Sequence, residues 1–313
     1  MTAPRRTSIW PLLIALVGAL WLLSTLDVLP EAATDIMQRA WPALLVLFGF
    51  DLLVGRRRLR LGQQGVSYAM IALAGTLVGL AALVWLAYAQ QADVVRADKQ
   101  ATFAQAVEDT TSQLRVAASM NRTAITIEPT EGDTREVSAD YAGSAESDVA
   151  FDWTTEGDIA QLTVTEAEQD AIPKLEAYGR GTLGLTLPVA VSLQELTVGG
   201  DAGDVSANLR PLRIGQLNLA VGEGDLEVTL PSDAVMTGVL RTGDGDLILN
   251  VPQNVALTLS LGEGSGQPTY EYDVARYDLL INGTLKLKNT DAFQVGLTVS
   301  LPGGAHLIVN DVE

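Results

Sequence analysis

Gly222–Pro231 reads GEGDLEVTLP, and 21 residues further on Gly243–Pro252 reads GDGDLILNVP. A looser copy precedes them at Asp201–Leu209, DAGDVSANL, and an earlier one at Gly179–Pro188, GRGTLGLTLP. The second glycine of each unit falls at Gly181, Gly203, Gly224 and Gly245, and Gly266 continues the register. Other columns keep step: Leu196, Leu217 and Leu259; Val198, Leu219, Leu240 and Leu261; Val205, Leu226 and Leu247. Apolar residues alternate on both sides of the glycine turn, so each unit supplies strand, turn and strand with one face inward. Stacked coils return the same column every 21 residues, because equivalent positions then lie about 4.8 Å apart and like side chains pile into one core. The repeat therefore predicts a single-stranded β-solenoid over 179–310, with Asn282-Gly283 and Pro302-Gly303-Gly304 as the turns of two further coils.

Upstream, Ala124–Ile127, Val149–Trp153 and Leu162–Val164 also alternate, separated by Glu131-Gly132-Asp133 and Glu156-Gly157-Asp158 turns. The all-β domain is thus expected over 114–313, preceded by a linker or stalk at 91–113. Composition separates this part from what comes before. The 313 residues average a mean hydropathy of +0.22 while carrying a net charge of −18. Residues 1–90 hold seven Arg and four acids, whereas 91–313 hold 13 bases and 34 acids. The acidic part repels phosphate, which argues against a nucleic-acid partner. Zero Cys excludes disulfides and thiol chemistry, and a single His excludes a multi-His metal site.

Three apolar stretches in 1–90 read as membrane spans at about 9–26, 36–54 and 66–89, of lengths that suit a bilayer core. The middle one is short and crosses only by recruiting Ile36–Ala40 or thinning the bilayer. Arg5 and Arg6 before the first span, and Arg56, Arg57, Arg58 and Arg60 after the second, place the N-terminus in the cytoplasm and everything after Ala89 outside. The expected fold class is therefore a membrane α-helical anchor of three spans plus an all-β domain, in a multi-pass protein of the bacterial cell membrane. Trp10-Pro11 with Gly18 recurs 31 residues later as Trp41-Pro42 with Gly49. The glycines permit close backbone approach, and the pair reads as a hairpin of two related helices.

The W-P-x-L-L units, the short acidic loop between them and the Arg cluster resemble the LiaI/LiaF-like transmembrane region of bacterial envelope-stress proteins, over residues 8–60. The G-x-G-D units after them resemble the "toastrack" or "putative adhesin" domain that follows such regions, over 114–313. The resemblance implies a non-enzymatic regulator or sensor of the envelope-stress response, acting on a membrane partner such as a sensor histidine kinase. Trp10, Gly18, Trp41, Gly49 and Asp51 are then the partner-contact candidates, with homo-oligomerisation open. Asp51 departs from the apolar residue expected of the family; it either serves function or reaches the interface and neutralises Arg58. The alternative is a surface adhesin, or a polymer- or cation-binding module, that the helices merely anchor.

Asp204, Asp225 and Asp246 share one column of the repeat. Either each accepts a hydrogen bond from turn N–H groups, or the corner gathers Ca²⁺, for which oxygen ligands are suited. No other cofactor is expected. Catalysis has little to build on: His306 is the sole imidazole, and neither G-x-S-x-G nor G-x-x-x-x-G-K-[ST] occurs. Asn121-Arg122-Thr123 and Asn282-Gly283-Thr284 match the glycosylation sequon, the second also reading as an N-G turn.

Overall fold

The computed structural model describes residues 58–61, 64–67 and 85–312, apart from 131, 168–177, 234, 263–264, 267, 282, 289–292 and 302–304. It divides into two compact units. Met1–Asp93 with Asp170–Tyr178 form the first, and Val94–Gln169 with Gly179–Glu313 form the second.

In the first unit, β1 (Arg58–Leu61) and β2 (Gln64–Ser67) form an antiparallel hairpin, and residues 85–91 form one short helix. This corrects the anchor expected from sequence, and with it the multi-pass membrane localisation. No helix among the described residues is long and apolar enough to cross a membrane. The span expected from Val66 starts instead as strand, in β2. An apolar run does not by itself distinguish a membrane-spanning helix from a strand. The stretches at 9–26 and 36–54 lie outside the described residues, and so do Trp10, Gly18, Trp41, Gly49 and Asp51.

The second unit is built from strands. Its first half holds β3 (Lys99–Ala106), β4 (Gln113–Pro129), β5 (Glu136–Gly143), β6 (Val149–Glu156), β7 (Ile159–Glu166), β8 (Gly181–Leu187) and β9 (Ser192–Ala202). There follow β10 (Val205–Asn208), β11 (Ile214–Glu223), β12 (Leu226–Thr229), β13 (Met236–Asp244) and β14 (Leu247–Pro252). The last are β15 (Val255–Leu261), β16 (Thr269–Tyr272), β17 (Tyr277–Leu279), β18 (Leu285–Leu287), β19 (Phe293–Ser300) and β20 (His306–Val312). Strand β3 falls in the segment read as a linker, and pairs with β5.

Two sheets enclose one core. Sheet I runs β3-β5-β8-β4-β10-β12-β14-β20-β16. Sheet II runs β6-β7-β4-β9-β11-β13-β19-β15-β18-β17. Each central rung contributes one strand to each sheet, as β9 and β10 do, and neighbouring rungs pair in parallel. Side chains stack as the period-2 pattern requires: Leu183, Ile125, Val205, Leu226, Leu247 and Leu307 form one buried column. Val198, Leu219, Leu240 and Val299 form another in sheet II.

The rungs do not follow chain order, and this corrects the expected sequential solenoid. Rung β19–β20, the last in sequence, lies between β13–β14 and β15–β16. At the other end β4 lies between the strands β7 and β8 on one side and β9 and β10 on the other. Antiparallel hairpins, not further coils, occupy both ends. Gly283 turns with φ +78° between β17 and β18, which pair antiparallel. Gly266 consequently drops out of the glycine column. The register runs Leu247 to Leu307 to Tyr270, which puts Pro268 opposite Ala305, two places beyond it.

Candidate functional site

Strand β4 serves both sheets and must bend to do so. Gln113–Arg122 pairs in sheet II and Thr123–Pro129 in sheet I. The crossing is held by buried Glu166 at the end of β7. Its carboxylate accepts from the Asn121 N–H (2.8 Å), the Thr123 hydroxyl (2.9 Å) and the Tyr141 hydroxyl (2.8 Å). Three donors surround a charge removed from water, so the group is satisfied where an unpaired one would cost several kcal/mol, of order 1–3 or more. Burial raises the Tyr141 pKa, and the Glu166 charge adds to this. The sequon Asn121-Arg122-Thr123 is thus used internally: Thr123 is fully buried, and the Asn121 amide donates to the Ala167 carbonyl.

At the glycine corner, the Asp column is a ladder of hydrogen bonds. Asp204 Oδ1 accepts from the Asp225 N–H (3.0 Å), Asp225 Oδ1 from the Asp246 N–H (2.9 Å), and Asp246 Oδ1 from the His306 N–H (2.8 Å). Each of these bonds joins one rung to the next. Among the described residues no group of three or more His, Cys, Asp or Glu is placed to hold a metal ion. His306 takes the next place in the column, with its side chain exposed. No nucleophile is paired with it among the described residues.

Concavity is found elsewhere, along sheet II where its strands approach the corner. An open groove of about 430 Å³ crosses β4, β9, β11, β13 and β19. Its axis is the register column Ser119, Gly199, Ala220, Arg241 and Ser300. Five strands at about 4.8 Å make the column about 19 Å long. The hollow exists because side chains are missing: a Cβ placed on Gly199 would meet nothing within 4 Å. The wall beyond it cannot be filled, since a Cβ on Gly222 would lie 2.3 Å from the Asp201 carbonyl oxygen, and one on Gly243 2.5 Å from that of Gly222. Ser119, Ser300, Asp201, Arg241 and Asn121, the last with its amide engaged by the Ala167 carbonyl, share the lining with the apolar Met120, Ala220 and Val221. Arg241 is exposed and has no hydrogen-bond or ion-pair partner among the described residues.

Of the sequence candidates the structure brings Asp204, Asp225 and Asp246 together, in a structural role. The groove lies outside the columns singled out by sequence, although Gly199, Ala220 and Arg241 stand 21 residues apart and belong to the same repeat. Glu166 left no pattern at all.

No family model matches the chain, and no curated protein matches it. Among solved structures, the chain is similar to a "putative cell adhesion protein" from Clostridium sporogenes ATCC 15579, with a TM-score of 0.57 and 11% identity over 68% of this chain and 100% of that one. Two others, each described as a "putative adhesin", come from Bacteroides fragilis NCTC 9343 and Parabacteroides merdae ATCC 43184. They share 11% identity over 69% and 71% of this chain and 100% of their own, with TM-scores of 0.27 and 0.20. The LiaI/LiaF-like resemblance has no counterpart in these comparisons. The Clostridium protein shares the fold of this chain, and at 11% identity the likeness speaks for the fold alone.

Proposed function

We propose that this chain is a non-catalytic binding module of the adhesin type, and that the groove of sheet II receives an extended glycan bearing sparse carboxylates. The observation that carries the reading is the unpaired Arg241 in a long hollow whose lining mixes Ser119, Ser300 and Asp201 with glycines and apolar side chains. A hydroxyl-rich chain satisfies such groups along its length, and a carboxylate meets the guanidinium as a charge-assisted hydrogen bond. Dense polyanions fit poorly, because the surrounding chain is acidic. The reading is non-enzymatic because the clustered carboxylates are bound into structure: Glu166 holds a strand crossing, and the Asp column ties rung to rung. The envelope-stress role implied by resemblance gives way to the adhesin-type alternative, since the fold likeness and the groove both concern the β unit.

The test is binding of hyaluronan oligosaccharides, with one carboxylate per two sugars, against neutral dextran. Wild type is expected to retain the former, Arg241→Gln to bind about 10-fold more weakly, as loss of a charged hydrogen bond implies, and Gly199→Leu to lose binding by filling the hollow. Equal binding by all three, or preference for dextran, would overturn the reading.

A further inference from the structure

The two ends of the β stack differ in a way that fits one to the other. At the end where β3 and β6 are the last strands, neither has a partner on its outer side among the described residues. Between them Phe103 stacks on Phe151 with centroids 5.7 Å apart and lies 6.1 Å from Trp153, all three half-buried. Around this aromatic ridge the sequence is strongly acidic. Residues 99–113 and 130–166 hold twelve acids against two bases. Both bases are engaged, Lys99 with Asp148 at 2.7 Å and Arg135 with Asp109 at 3.8 Å.

At the opposite end β16 and β17 are the last strands, again open on their outer sides among the described residues. Here Val274, Leu279, Leu280 and Ile281 are exposed, Ile281 completely. Residues 255–288 hold four acids and three bases. The Lys286 ammonium is exposed and has no partner among the described residues.

We infer that the chain associates head to tail with a second copy, the Leu279–Ile281 end of one molecule docking on the Phe103–Trp153 end of the next. Open strand edges are ready-made templates for pairing, and apolar residues clustered beside one mark an interaction surface. Strand directions allow a plain displacement along the stack. The β16 edge would meet β3 in parallel and the β17 edge would meet β6 antiparallel, because β17 and β3 each reverse twice relative to the rungs while β6 reverses once. The charges select this partner. Two acidic ends repel each other, whereas the tail end is nearly neutral and offers Lys286 to the carboxylates of Asp152 and Glu156 on β6. Such a contact joins two different patches, so it leaves a free head and a free tail and propagates into linear chains instead of closing as a symmetric dimer.

Because the chain has no cysteine, the contact can be read without background. Thr154→Cys on the exposed face of β6 and Ile281→Cys at the opposite tip are made singly in the full chain and mixed with a short bismaleimide. The proposal expects crosslinked dimers from the mixture only, and a ladder of multimers from the doubly substituted chain. Lys286→Glu should reduce the crosslinked yield several-fold at low salt, and less at high salt, as screening requires. Crosslinks from the Ile281→Cys chain alone would show a tail-to-tail dimer and overturn the proposal, and so would absence of any crosslink at a concentration of about 100 µM, weaker than interfaces of standard size provide. Both substituted residues are exposed, and unchanged circular dichroism of each variant separates lost contact from lost fold.

Discussion

Gly224→Ala tests the stacking of the rungs at the glycine corner. Gly224 has φ +134°, a backbone conformation L side chains rarely adopt, and a Cβ there would stand 2.7 Å from the Gly203 carbonyl oxygen and 2.8 Å from Asp204 Oδ1. Neither neighbour moves freely, since Asp204 Oδ1 accepts from the Asp225 N–H and the Gly203 N–H donates to the Glu223 carbonyl at 2.8 Å. The backbone strain costs about 1–3 kcal/mol and the overpacking about 1–3 more. Stiffening of the unfolded chain returns about 0.4–1 kcal/mol. The net is a loss of about 3 kcal/mol, which at a urea m-value of about 2.5 kcal/mol/M lowers the midpoint by about 1.2 M. The control is Gly199→Ala, in the same repeat but facing open space, where no loss is expected and a gain of up to about 1 kcal/mol is. Far-UV circular dichroism of the full chain in urea measures both. If the two variants shift the midpoint equally, the corner glycines are not required by stacking and the reasoning fails.

Other consequences can be measured the same way. Asp225→Ala removes the acceptor for the Asp246 N–H and should cost about 0.5–1.5 kcal/mol, while Asp225→Asn keeps an acceptor oxygen and relieves repulsion along the column, so it should be neutral or stabilising; a larger loss in Asn than in Ala would contradict the ladder. Burial raises the pKa of Tyr141 and of Tyr277 above the ordinary 10.0. Each therefore favours the folded state fully below pH 10 and loses that contribution as pH rises beyond it, by up to about 1.4 kcal/mol per pH unit. Urea midpoints from pH 8 to 11 should fall above pH 10, and Tyr277→Phe should flatten the fall. Tyr141→Phe also strips one donor from buried Glu166 and should cost about 1–3 kcal/mol at neutral pH. Deleting residues 293–313 removes the rung that separates β13–β14 from β15–β16 and should abolish the cooperative transition, whereas in a sequential stack it would only shorten the array.

That last contrast shows what periodicity can and cannot report. The repeat identified which residues are equivalent, because the same pressure acts on every rung: Val205, Leu226 and Leu247 face one core, and Gly203, Gly224 and Gly245 pass one crowded corner. It also located the Asp column, whose bonds recur at the same spacing. Equivalence is not adjacency, however. Leu240 meets Val299 and not Leu261 as its next neighbour, since β19 slides between them, and both alternatives bury the same kind of side chain in the same column. No local signal distinguishes them; the choice is made by the end hairpin β17–β18, which caps β15 on its far side and leaves the near side for β19. The crossing of β4 is marked by a change of phase, since the buried residues run Leu114, Val116, Ala118 and Met120 and then Thr123, Ile125 and Ile127, but the residue that stabilises the bend, Glu166, lies on another strand. Both insertions pair the terminal segments of the unit with its middle, so the stack is completed only when the chain's last strands have formed. A repeat array assembled rung by rung would fold from local contacts; this one depends on contacts between distant segments, which slows folding and binds the rungs into one cooperative structure.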